Sequence, residues 1–147
     1  MTVSRKALCV AYGVLGLIAL VGTWGNIIGL LGEHGFWGGT LKFWQDVLVN
    51  ESSRFITIDI LFLAMAVVVW MVLEARRLQI PGIWLYVMFG FLIAISLAFP
   101  LFMIHREVKL AAKEPGTPGG TLHLYDVIGL MACGLAFTIF AGVALSL

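Results

Sequence analysis

An acid inside an apolar run is the residue with most chemical potential in this sequence. Asp59 is the one charged residue of the stretch Phe55–Leu73. An ionised carboxylate facing hydrocarbon is costly, so it must turn inward, find a partner or hold a proton. Paired with a cation it locks helices together; left to titrate, it is a ligand or proton site. Arg54, His105, Arg106 and Asp126 flank neighbouring apolar runs and are expected on the same outer side. Asp59, Arg106, Asp126 and His105 are therefore expected to converge at one mouth. At 100° per residue, Asp59, Ala66, Trp70 and Arg77 share a narrow stripe. Glu74, Arg76 and Arg77 form the charged turn at the inner end, read first as a salt-bridged anchor.

Other chemistry finds little support. His105 and His123 flank one loop and with Asp126 or Glu107 offer metal-ligand types, but no spacing resembles a zinc signature. No metal site is assigned, and no cofactor follows from the residues. His34 reads as a solvated loop residue. Cys9 and Cys133 belong near the inner end of one span and in the outer half of another, too far apart for a disulfide. No C-x-x-C, G-x-S-x-G, Walker or G-x-G-x-x-G motif occurs.

The elements that must position these residues follow from composition. The chain has 147 residues, 61% hydrophobic and 12% charged, with a net charge of +1. Its mean hydropathy is +1.05. A soluble domain carries about 25% charged residues, and disorder needs few hydrophobics. No basic patch suited to phosphates appears, so nucleic-acid binding is excluded. The composition is that of an integral membrane protein.

A spanning helix needs about 20 mostly apolar residues. Four runs qualify, at about 7–31, 55–73, 80–104 and 124–147. They are continuous rather than alternating, which excludes a β-barrel. The first is longer than the core of a signal peptide and reads as a true span. The expected fold is all-α: one domain, a bundle of four transmembrane helices. Four spans put both termini on one side. The positive-inside count nearly ties, and the short Arg76-Arg77 turn and the start of the first span place both termini inside.

The first outer loop, rich in Phe36, Trp37, Phe43 and Trp44, predicts a short interfacial helix capped by Thr40. In it Leu41, Trp44 and Leu48 share a face. On the first span Tyr12, Gly16, Ala19, Thr23 and Asn26 make a small, polar stripe. Helix packing explains it, with Asn26 as a cavity-lining candidate. Pro100 predicts a bend in the third span.

The middle of the chain, about Phe43 to Arg106, resembles a family of small bacterial membrane proteins catalogued as a domain of unknown function. The matching residues are Asn50-x-Ser52, Asp59, Glu74-x-Arg76-Arg77, Trp84-x-Tyr86, Ser96 and Pro100-Leu101-Phe102-x-x-x-Arg106. Where that family usually carries Asn-Pro-x-Ser, Glu51 replaces the proline. The resemblance implies four helices and singles out Asp59, Glu74, Arg76, Arg77 and Arg106. It implies no reaction.

Small size, packing faces and missing catalytic motifs lead to an expectation of a non-enzymatic protein of a bacterial cytoplasmic membrane. It would be an accessory subunit of a membrane complex, or a binder of a lipid or quinone-like ligand. Its partners would be membrane lipids and another membrane protein or further copies of itself. The alternatives are an oligomeric proton, ion or small-solute transporter using Asp59, and a membrane enzyme using the outer cluster.

Overall fold

The backbone follows the apolar runs, and each helix end has a local cause. A computed structural model describes residues 1–119 and 123–146. Helix α1 spans Val3–Asp46 and is sharply kinked at Gly35 (φ 71°, ψ 171°), a conformation that glycine adopts without a side-chain clash. The leg after the kink folds back so closely that a methyl on the buried Gly39 would lie 3.0 Å from Leu31 Cα. This leg is the short helix expected in the first loop. Thr40 does not cap it: its hydroxyl donates to the Phe36 carbonyl at 2.7 Å, inside the leg, and Gly35 marks the break. Trp37 and Trp44 remain exposed.

Helix α2 spans Glu51–Leu78. Asn50 caps it, accepting from the Ser53 amide at 2.8 Å. Glu51 thus holds the first helical position. Proline is favoured there, and an acid there meets the positive end of the helix dipole. The helix stops at Gln79, which is left-handed (φ 56°), and Pro81-Gly82 turns the chain.

Helix α3 covers Ile83–Phe89. A π-helical turn, Gly90–Ala94, follows, and α4 covers Ile95–Lys113. Ala94 is extended (φ −169°, ψ 126°), and there the chain reverses. The Tyr86 and Phe102 rings meet edge-on at 5.7 Å, and the Tyr86 hydroxyl lies 3.0 Å from His105 Nδ1. In a straight helix residues 86 and 102 would be about 24 Å apart. The third apolar stretch is therefore a helical hairpin. The bend expected at Pro100 is replaced by the reversal near Ala94, and Pro100 packs inside α4 against Gly16. At the tip, the Trp24 indole donates to the Ile93 carbonyl at 3.2 Å, satisfying one backbone group near the break.

Helix α5 spans Leu124–Leu145. It begins beside the start of α1, where the Gly119 amide donates to Ser4 Oγ at 3.1 Å. It then climbs parallel to α1, so that a methyl on Gly22 would lie 3.5 Å from Ala141 Cβ.

The chain is all-helical, with four stretches long and apolar enough to cross a membrane. Their sense defines two ends. The proximal end holds the start of α1, the α2–α3 turn, the end of α4 and the start of α5. The distal end holds the α1–α2 connection and the end of α5. The expectation that the termini share a side rests on four straight passes. With the third stretch folded back, the termini lie at opposite ends of the bundle.

The buried core sits between α2, α3 and α4 in the proximal half, around Met71, Ala75, Leu78, Ile83, Phe102 and Leu110. Gly90 lets the hairpin arms touch, since a methyl there would lie 2.9 Å from Ile95 Cδ1 and 3.3 Å from Ala98 Cβ. Gly90→Val is expected to lower stability by about 1–3 kcal/mol through overpacking. Gly129→Val, at a position with open space around it, is expected to leave it nearly unchanged. Thermal unfolding of both variants in detergent checks this.

Candidate functional site

A chain of alternating charges closes the proximal end. Glu74, in the penultimate turn of α2, accepts from Arg77 through two bonds, Nε to Oε2 at 2.7 Å and Nη2 to Oε1 at 2.6 Å. The spacing of three residues puts both side chains on one helix face. Arg106 of α4 donates to Glu74 Oε1 at 2.7 Å and to its neighbour Glu107 at 2.8 Å. Glu107 takes a further bond at 2.8 Å from Arg5 of α1. Arg5 also donates from Nε to the Thr117 carbonyl at 2.9 Å. The Arg106 guanidinium lies 5.8 Å from the centre of the Trp70 ring, within cation–π range.

Burial makes these contacts consequential. The side chains of Arg5 and Glu107 are 4% and 2% exposed, while that of Arg77 is 59% exposed. Among the described residues, no buried side-chain polar atom lacks a hydrogen-bond partner. Three guanidiniums hold two carboxylates and join α1, α2 and α4. Each carboxylate oxygen of Glu74 and Glu107 accepts at least one of these bonds.

The other expected site residues fall elsewhere. Arg106 and His105 lie at the proximal end because the hairpin carries them there, and His105 is bonded to Tyr86. Asp126 caps α5, accepting from the His123 amide at 2.9 Å. Asp59 stands in the distal half of α2, exposed. Among the described residues it makes no ion pair. The expected mouth of Asp59, Arg106, Asp126 and His105 is thus not assembled: the hairpin removes Arg106 from Asp59. Asn26 is also exposed and spends its amide on its own helix, donating to the Gly22 carbonyl at 2.7 Å. Arg76 is exposed at the end of α2. Glu74 and Arg77 meet as expected, with Arg106 as an unforeseen third member.

Arg5 and Glu107 are the members that sequence reasoning missed. Arg5 reads as an ordinary positive flank of a span, and Glu107 only as a candidate metal-ligand type beside the histidines. The available signal was an acid set among cations directly after an apolar run.

A crevice of about 330 Å³ runs between α1, α4 and α5. Gly22, Ser96, Gly134 and Phe137 line it. Its two threonines are spent internally: Thr23 donates to the Ala19 carbonyl and Thr138 to the Gly134 carbonyl, each at 2.8 Å. Apart from Ser96, the remaining wall is apolar and suits hydrocarbon.

A family model described as a protein of unknown function, DUF2834, matches residues 11–108, two thirds of the chain. The chain belongs to the DUF2834 family. No curated protein and no solved structure matches it. The family segment carries Glu74, Arg77, Arg106 and Glu107, whereas Arg5, which completes the network, lies before it.

Breaking a buried ion pair from one side costs about 3–5 kcal/mol, because it strands the other charge. Arg5→Gln is expected to destabilise the protein by about that much, while Arg77→Gln, which removes an exposed guanidinium and leaves Glu74 bonded to Arg106, is expected to change stability far less. Chemical denaturation of both variants in one detergent separates the two outcomes.

Proposed function

We propose that this protein is a non-enzymatic accessory subunit that docks against a transmembrane helix of a larger complex through the distal half of α2. The observation that carries this reading is Asp59. From Glu51 to Leu63 no residue of α2 is buried, whereas Ala64, Val68, Met71 and Ala75 are. The hairpin explains the contrast. Counting from its start, seven residues of α3 and five of the π turn rise under about 20 Å, against a hydrocarbon core of about 30 Å. Above its tip α2 lacks that neighbour, and Phe55, Ile58 and Phe62 surround an acid that makes no ion pair among the described residues.

A charged residue at the centre of a span costs about 2.5–3.5 kcal/mol against lipid, and Asp59, about one turn inside the apolar run 55–73, bears a smaller part of that cost. A partner helix presenting a cation or an amide at that depth removes the cost. The open surface agrees. The chain exposes 10189 Å², against about 7,400 Å² for a compact soluble protein of its mass.

We place the protein in a bacterial cytoplasmic membrane with the proximal end inside. Of its nine cations, all but Lys42 and Arg54 belong to the proximal end. The hairpin turns the near-tie of the straight-span count into seven against two, the asymmetry that sets orientation. Three crossings and one re-entrant hairpin then leave the C terminus outside.

Gentle extraction followed by native mass spectrometry tests the docking reading. The wild-type chain is expected to carry a second membrane polypeptide. Asp59→Leu, which suits lipid better than the native acid, is expected to yield a folded chain without it. Retention of the partner by Asp59→Leu would contradict the docking role. A bare homo-oligomer from the wild type would favour transport instead, with ion flux through Asp59→Asn as its measure.

A further inference from the structure

The two ends of the bundle differ in charge as well as in structure. The proximal end carries seven cations against four carboxylates, Glu74, Glu107, Glu114 and Asp126. The distal end carries two cations against Glu33, Asp46, Glu51 and Asp59. Internal pairing consumes only part of the proximal excess. Arg5, Arg77 and Arg106 are engaged with Glu74 and Glu107. Lys113 reaches the Arg77 carbonyl at 3.3 Å, which uses one of its three donors without neutralising its charge. Lys6, Arg76 and Lys109 make no ion pair among the described residues. They come from α1, α2 and α4, the three helices that the buried network ties together, so they are carried on one braced platform.

We propose that this proximal platform docks on the headgroups of anionic phospholipids in the leaflet it faces. Charge complementarity selects the occupant. Cations within a Debye length of an anionic leaflet each contribute attraction, and their effect is lost as salt rises. The buried network gives this surface its shape: Glu107 and Glu74 are already satisfied from inside, so the outer cations are left for phosphate. Lys6, Arg76 and Lys109 supply the contact, with Lys113 beside them. The distal end, where carboxylates outnumber cations, lacks this attraction. This inference rests on the charge split and not on Asp59 or a protein partner.

The test is native mass spectrometry of the detergent-solubilised full chain, titrated with an equal mixture of phosphatidylglycerol and phosphatidylcholine. Phosphatidylglycerol is expected to be retained preferentially. Each surface cation contributes about 1 kcal/mol near an anionic membrane, or about fivefold in affinity. The triple variant Lys6→Gln, Arg76→Gln, Lys109→Gln is therefore expected to lose at least about tenfold of the preference. Lys42→Gln with Arg54→Gln is expected to keep it. Equal binding of the two lipids by the wild type overturns the proposal, as does a preference that survives in the triple variant. If that variant fails to fold, the salt dependence of the wild type decides. A preference lost between about 0.05 and 0.5 M salt supports the electrostatic surface, and one unchanged by salt overturns it.

Discussion

Two carboxylates at one end of an apolar bundle have to be neutralised, and the rest of the structure follows from how that is done. Glu107 is almost fully buried and Glu74 nearly so. Arg106 bridges them and Arg5 completes the shell around Glu107. For Arg106 to reach Glu74, the end of α4 must lie beside the end of α2. Only a short turn and the α3 hairpin arm separate those helices in sequence, so α4 must run back the way α3 came. The reversal at Ala94 is the backbone consequence of that pairing. Tyr86 on Phe102 and Gly90 against Ala98 are its packing consequences.

The hairpin carries a cost that neighbouring helices offset. A chain reversal leaves backbone groups outside the regular helical ladder, which hydrocarbon cannot satisfy. Trp24 of α1 answers one of them at Ile93. Close packing of α1 on α4, allowed by Gly16 against Pro100, brings that indole within reach. The hairpin is also short, and its length leaves the distal half of α2 bare. The same fold-back that gathers seven cations at one end thereby isolates Asp59 near the other. The gathering of cations at one end and the exposure of Asp59 near the other are two results of one topological event.

Much of this was legible in the sequence, and the exceptions share a cause. The apolar runs gave the four helical stretches, and the charged turn of Glu74, Arg76 and Arg77 announced a salt-bridged anchor, whereas the Asn50 cap of α2 was not foreseen. The aromatic loop after the first span announced a short helix, although Gly35 rather than Thr40 sets its start. Composition patterns report local periodicity, however, and a hairpin inside a continuous apolar run leaves no break in hydropathy. Ala94 is an ordinary alanine, and its extended backbone is imposed by Tyr86, Phe102 and the charges beyond. Pro100 drew attention as the bend because proline is a visible signal, yet the bend lies six residues earlier. Once the third stretch is taken as straight, Arg106 is placed beside Asp59, the termini share a side and the cations tie. Each correction follows from that one non-local contact.

The most direct test of the folded-back third stretch is the sidedness of the two termini. Single cysteines at Thr2 and Ser146, with Cys9 and Cys133 replaced by serine, can be probed in sealed membrane vesicles of one orientation with a maleimide that does not cross the bilayer. The hairpin requires the two positions to react from opposite faces, one in intact vesicles and the other only after permeabilisation. Reaction of both from the same face would mean that the third stretch crosses straight through, and would contradict the Glu74–Arg106 pairing on which the account rests.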